Sequence, residues 1–267
     1  MKVILAFVLA GGVIYGGWRA LVHSSNLFPA LVTPDTNVHL EFSGDVVARL
    51  YRATHEMPED RSSRPRLIAL TFDDGPYPIY TPLLLDVLRD LKVPATFFLI
   101  GKDAEQWPEL TQRIEADGNE VADHTYSHPN LDEEDDADVR KEILEGRNVL
   151  WDLTHDPAVR VYLRPPHGRY TERTLQIAQS LGYSVVLWTD DGGDWRSLSV
   201  EGLERHLTRH ATAPEIVLLH SGKLATIEAL PYVVERFKRA GYRFVTVGEL
   251  LKLVQGDELN HPFRHAV

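Results

Sequence analysis

Two aspartates stand side by side in Thr71-Phe72-Asp73-Asp74-Gly75-Pro76, between an apolar run and a Gly-Pro break. Neighbouring carboxylates repel, and adjacent residues on a strand point to opposite faces. A strand-end turn or a helix N-cap accounts for such a pair without chemistry. His124 and His128, four residues apart, open a second reading. Pro129 disfavours helical backbone at His128, which puts the two on a turn or a short terminal helix. Alone, this spacing fits unrelated surface histidines as well as it fits ligands. Joined to a carboxylate from another strand end, it describes a His2Asp set for one divalent ion with coordination positions left open, as in catalytic sites. One aspartate then serves the ion, and the other is free to take a proton from water that the ion acidifies.

Hydrolysis of an amide or ester also needs an acid for the leaving group. His220 is the candidate, because it ends the apolar run Ile216-Val217-Leu218-Leu219-His220, where histidine is otherwise unfavourable. Asp194 could orient that imidazole and raise its pKa. Arg164 could hold a carboxylate in its planar fork. Trp195 and Leu218 could wall a pocket, a role in which ordinary core packing serves nearly as well.

Something must bring these residues together. Seven apolar runs read as buried strands: 67–72, 95–100, 120–123, 159–163, 184–188, 216–219 and 243–247. Helical apolar spacing separates most of them, over 82–91, 109–116, 172–181, 200–210 and 225–240. The alternation predicts an α/β fold, a parallel sheet with helices outside, and seven units favour a barrel over an open doubly wound sheet. Every chemically unusual stretch follows the C-terminal end of a strand, the end that carries the active site in parallel barrels. The acidic run 132–138 reads as a solvated loop and the start of a helix that continues through Trp151.

Net charge is −11, with 28 Lys+Arg against 39 Asp+Glu, and no basic cluster offsets it, so nucleic acid is a poor partner. There is no cysteine, which excludes disulfides and thiolate metal sites. An uncharged apolar stretch, Val3 to Trp18, lies between Lys2 and Arg19 and has the length of an export-signal core. The expected organisation is a signal peptide or membrane anchor over 1–22, a lead-in over 23–65, a catalytic domain over 66–253 and a tail over 254–267. The protein is then exported to the cell envelope or beyond, with membrane association through its N-terminal segment and no protein partner implied.

Thr71–Pro76, His124-Thr125-Tyr126-Ser127-His128, Arg164-Pro165-Pro166-His167-Gly168, Asp191–Trp195 and Leu218–His220, in this order, resemble the five motifs of the polysaccharide deacetylases, the NodB-homology domain of carbohydrate esterase family 4. The connecting segments Ala95–Gly101 and 229–251 extend the resemblance over about residues 66–253. It implies a distorted (β/α)7 TIM-like barrel with parallel strands and metal-dependent removal of acetyl groups from N-acetylated sugars. Zinc is the usual ion, and cobalt, nickel or manganese suit the same donors. By motif position, Asp73 is the general base, Asp74, His124 and His128 bind the metal, and His220 is the general acid. Arg164 braces the base, Asp194 tunes His220, and Trp195 and Leu218 line the acetyl pocket. The backbone N–H of His167 helps stabilise the oxyanion. His167 itself departs from the family, which usually has an aromatic, often tyrosine, there. The expected substrate is an N-acetylglucosamine-containing glycan: peptidoglycan, a chitin-like oligomer or exopolysaccharide. The same site would also serve an O-acetyl esterase on xylan or a small-molecule amidohydrolase. A non-catalytic glycan-binding module would call for a missing catalytic residue, and none is missing.

Overall fold

Strand β1 (Leu67–Asp73) is buried at every position. Its parity explains why. Ile68, Leu70 and Phe72 face outward into a core shared with the helices, whereas Leu67 and Ala69 face inward. A strand covered on both faces reads as a continuous apolar run rather than an alternating one.

The computed structural model describes residues 66–209 and 215–260. After β1 come α1 (Tyr80–Leu91), β2 (Thr96–Leu99), α2 (Gly101–Gln106), α3 (Pro108–Ala116), β3 (Glu120–Asp123), α4 (Asp136–Thr154), β4 (Tyr162–Leu163) and α5 (Glu172–Ser180). The chain continues through β5 (Ser184–Val185), β6 (Asp190–Asp191), α6 (Val200–Arg209), β7 (Glu215–His220), α7 (Leu224–Arg239), β8 (Arg243–Phe244) and α8 (Val247–Asn260). The strands pair in the order β5-β4-β3-β2-β1-β7-β6, all in parallel, with β8 added to β1. Ile68 lies between Glu215 and Phe244, so β8 and β2 use successive lengths of one edge of β1. The result is the distorted parallel barrel that the sequence implies.

The two ends of the sheet are parts of one stretch of chain. β5 pairs with β4, β6 pairs with β7, and residues 186–189 span the gap between them. Val186 N–H reaches Leu163 and Thr189 N–H reaches Ile216, so the seam is closed by the chain itself. The sequence pattern missed β6 because Asp190-Asp191 carries no apolar signal. It also overextended β4, β5 and β8; β5 stops at Val185, where the seam begins. Asp156 caps a 3-10 turn at Pro157–Arg160, leaving only Tyr162–Leu163 extended. Val247 turns into α8, with its N–H bonded to Thr96 Oγ1 at 2.9 Å.

Asp135 caps α4 by accepting from Ala137 and Asp138 N–H, as the acidic run leads one to expect. Helix α8 passes beyond Leu253 to Asn260. Its Val247, Leu250, Leu251 and Val254 pack with Leu67, Ala69, Phe98, Ala122, Val186 and Ile216 inside the barrel, at the end opposite His220. The expected N-terminal segment 1–22 and lead-in 23–65 fall outside the described residues. No helix among the described residues is long and apolar enough to cross a membrane.

Candidate active site

The inward parity of β1 carries from Leu67 and Ala69 to Thr71 and Asp73, so one strand face passes from an apolar floor to a carboxylate at the rim. Arg164, fully buried after β4, meets that face. Its Nη1 donates to Asp73 Oδ1 at 2.6 Å and to Thr71 Oγ1 at 2.8 Å. Nε and Nη2 donate to the Val186 and Leu187 carbonyls, both at 3.0 Å, and the guanidinium lies 4.0 Å over the Phe98 ring. These carbonyls belong to the seam, where strand pairing lapses. The arginine therefore satisfies acceptors that the sheet leaves open. Burial pushes the Asp73 carboxyl above its ordinary range, against the pull of Arg164 and then His220.

Asp74 adopts a left-handed backbone, φ 69°, followed by Gly75 at φ 72°. This turn takes the second carboxylate off the strand's parity. Ser221 fixes it by donating from Oγ to the Asp73 and Asp74 carbonyls at 3.2 and 3.1 Å. Asp74 Oδ1 then lies 3.4 Å from His128 Nε2 and 3.8 Å from His124 Nε2. Donors 2.0–2.2 Å from one ion at tetrahedral angles are about 3.4 Å apart, so the spacing fits a divalent cation. Tautomer fits as well. His124 Nδ1 donates to the Arg164 carbonyl at 2.7 Å, which leaves Nε2 with its lone pair. Burial pushes the His124 pKa down to about 3, so the ring is neutral. Thr125 and His128 are also left-handed, at φ 70° and 64°, and Thr125 Oγ1 accepts from His128 N–H. Asp73 flanks this set, with Oδ2 3.7 Å from His124 Nε2 while Oδ1 is occupied by Arg164.

His220 follows the inward positions Ile216 and Leu218 on β7. Its Nδ1 donates to Asp194 Oδ1 at 2.7 Å, and its backbone N–H donates to Asp194 Oδ2 at 2.8 Å. Thr226 Oγ1 donates to the same Oδ2 at 2.7 Å. Burial alone would lower the His220 pKa. The Asp194 hydrogen bond and the charges of Asp73, Asp194 and Asp74 outweigh it, and the pKa is raised. Leu218 is buried, whereas Trp195 is half exposed, with Nε1 3.2 Å from Asp191 Oδ1.

His167 is exposed at φ 58°, its ring centroid 4.6 Å from that of His128. Desolvation, then the neighbouring His128, push its pKa below the ordinary histidine value. Gly168 follows at φ 66°, where a Cβ would stand 2.5 Å from the Trp188 ring.

The structure thus brings Asp73, Asp74, His124, His128, Arg164, His167, Asp194, Trp195, Leu218 and His220 to one rim. Sequence reasoning missed the residues that hold them: Thr71, Asp123, Asn130, Ser221 and Thr226. Asp123 is the clearest case. It is fully buried, accepts from Thr125 N–H and Tyr183 O–H at 2.8 Å each, and is pushed by burial to a pKa of about 7. A carboxylate ending an apolar strand directly before His124 was the available signal.

A family model described as polysaccharide deacetylase matches residues 60–186. A peptidoglycan-N-acetylglucosamine deacetylase of Bacillus cereus is 37% identical over 204 residues, covering 74% of this chain and 92% of the relative. A chitooligosaccharide deacetylase of Sinorhizobium fredii is 37% identical over 155 residues, 58% of this chain and 72% of the relative. The crystal structure of a peptidoglycan N-acetylglucosamine deacetylase superposes with a TM-score of 0.68 at 32% identity, over 70% of this chain and 89% of that one.

Proposed function

The chain belongs to the polysaccharide deacetylase family, and from that premise we propose that it removes N-acetyl groups from N-acetylglucosamine-containing polysaccharide in a metal-dependent hydrolysis. One observation carries the reading. Asp74, His124 and His128 place their donor atoms within 4.8 Å of one another, on the rim that holds Asp73 and the Asp194–His220 pair. These three residues would hold a divalent cation, which when bound acidifies water and polarises an acetyl carbonyl. Zinc is the first candidate, and cobalt, nickel and manganese suit the same donors.

Asp73 has one oxygen locked to Arg164 and offers the other to take the proton of the attacking water. The His167 backbone N–H donates to the carbonyl oxygen as it gains negative charge. His220, its Nδ1–H held by Asp194, gives the Nε2 proton to the departing nitrogen as the C–N bond breaks. Acetate and a free amino sugar are released. Leu218 and Trp195 line the pocket for the acetyl methyl. Residues 1–22 would export or anchor the enzyme, placing it on envelope glycan. The peptidoglycan and chitooligosaccharide deacetylases among its relatives support that substrate class.

The test is acetate release from N-acetylglucosamine oligomers and from peptidoglycan, with and without added divalent metal. Release that depends on the metal and disappears with Asp73→Asn is expected. Absence of release from every acetylated glycan, or an undiminished Asp73→Asn enzyme, would overturn the reading.

A further inference from the structure

The orientation of the His167 ring is dictated by its neighbours. Asn130 Nδ2 donates to Glu133 Oε2 at 3.2 Å. A carboxylate only accepts, so this end of the amide must be its NH2. Glu133 is kept ionised, because the hydrogen bond from Asn130 and then that from Arg169 hold its carboxyl below the usual range. Arg169 ties the arrangement down, donating to Glu133 Oε1 at 2.6 Å and to Asp132 Oδ2 from Nη2 and Nε at 2.8 and 3.1 Å. Asn130 Oδ1 therefore faces His167, at 2.9 Å from Nδ1. An amide oxygen also only accepts, so the imidazole proton sits on Nδ1. The neutral ring then carries its lone pair on Nε2. Nε2 has no hydrogen-bond partner among the described residues, and the ring is exposed on the rim against His128.

We propose that His167 selects substrate by accepting, at Nε2, a hydrogen bond from a free hydroxyl of the sugar bound at the Asp74–His124–His128 site. This rests on the deacetylase reading above. A hydrocarbon ring at this position would select by contact area alone. An imidazole fixed as an acceptor selects for a donor, and a site built around a hydrogen bond discriminates against analogues that lack it. The favoured class is a hexosamine unit whose hydroxyl at that position is free rather than etherified or acylated.

The experiment compares wild type, His167→Phe and Asn130→Ala on N-acetylglucosamine oligomers and on the same oligomers lacking one ring hydroxyl in turn. Wild type should lose about three- to tenfold in kcat/KM on one deoxy analogue, the worth of one neutral hydrogen bond. His167→Phe keeps a ring and the backbone N–H. It should raise KM for the parent oligomer by a similar factor and treat parent and deoxy analogue alike. Asn130→Ala releases the ring to either tautomer and should lose part of the discrimination, which decides the matter if the phenylalanine variant does not fold. A wild type indifferent to every deoxy analogue, or variants that discriminate as wild type does, overturns the proposal. A wild type that releases no acetate from the parent oligomer overturns the deacetylase reading, and this proposal falls with it.

Discussion

Asp73 and Asp74 are neighbours that the backbone sends to different partners, and their substitutions should separate accordingly. Asp73→Asn keeps a hydrogen-bond acceptor for Arg164 but removes the proton acceptor. A loss in kcat of about 10²–10⁴ is expected, with metal binding retained, measured by acetate release beside metal titration. His220 supplies a pH dependence with a definite sign. In the proposed acid role it donates only while protonated, so activity should fall as pH rises through its raised pKa. Asp194→Asn removes the Asp194 charge and turns a charge-assisted hydrogen bond into a neutral one, so burial is opposed by less and the His220 pKa should fall. The basic limb of the kcat profile should move to lower pH, and a limb that stays in place would remove His220 from the acid role. Which residues meet at this rim was largely legible in the sequence, because adjacent carboxylates and paired histidines are rare enough to be noticed. Thr71, Ser221 and Thr226 were not, because a hydroxyl acquires its role only from what the fold sets beside it.

The strands explain where Asp74, His124 and His128 emerge, and α4 explains how close the histidine turn comes. Gly146 lies buried in the middle of α4, where glycine costs about 1 kcal/mol relative to alanine. A Cβ there would stand 2.7 Å from Asp123 Oδ1 and 2.8 Å from the Thr125 carbonyl carbon. The helix accepts a poor helix former so that its backbone can lie against the turn carrying His124 and His128. Gly146→Ala should therefore improve local helix propensity and still damage the site. The expected outcome is a loss of metal affinity of about tenfold or more with helical content preserved, read by zinc titration and circular dichroism. At this scale the sequence was informative where an element buries an apolar face, as in β1, β3 and α5. It failed at β6 and at Pro157–Arg160, where pairing with a distant strand or a cap by the preceding Asp156, rather than apolar pattern, decides the backbone.

Along the barrel axis, stability and chemistry occupy opposite ends. The inward face of β1 runs Leu67, Ala69, Thr71, Asp73, and α8 covers the apolar end of that series. The expected domain ended at Leu253, one residue before buried Val254. Val247, Leu250, Leu251 and Val254 recur at helical spacing, but what that face packs against is tertiary: Leu250 is fully buried among residues of β1, β2, β3 and β7. Leu250→Ala should cost about 2–4 kcal/mol through lost burial and an unfilled cavity. For a domain of this size that corresponds to a fall in Tm of roughly 5–15 °C. The cavity would lie beneath Ala69 and Phe98, with Thr71 and the four hydrogen bonds of Arg164 between it and Asp73. That layer is held by buried polar partners rather than by packing alone, so a displacement below should not reach the rim. Thermal unfolding and acetate release at 25 °C measure the two effects separately. A lowered Tm with kcat and metal affinity within about twofold of wild type is the expected pair of results. A matching collapse of kcat in the folded variant would mean that the floor of the barrel positions its rim.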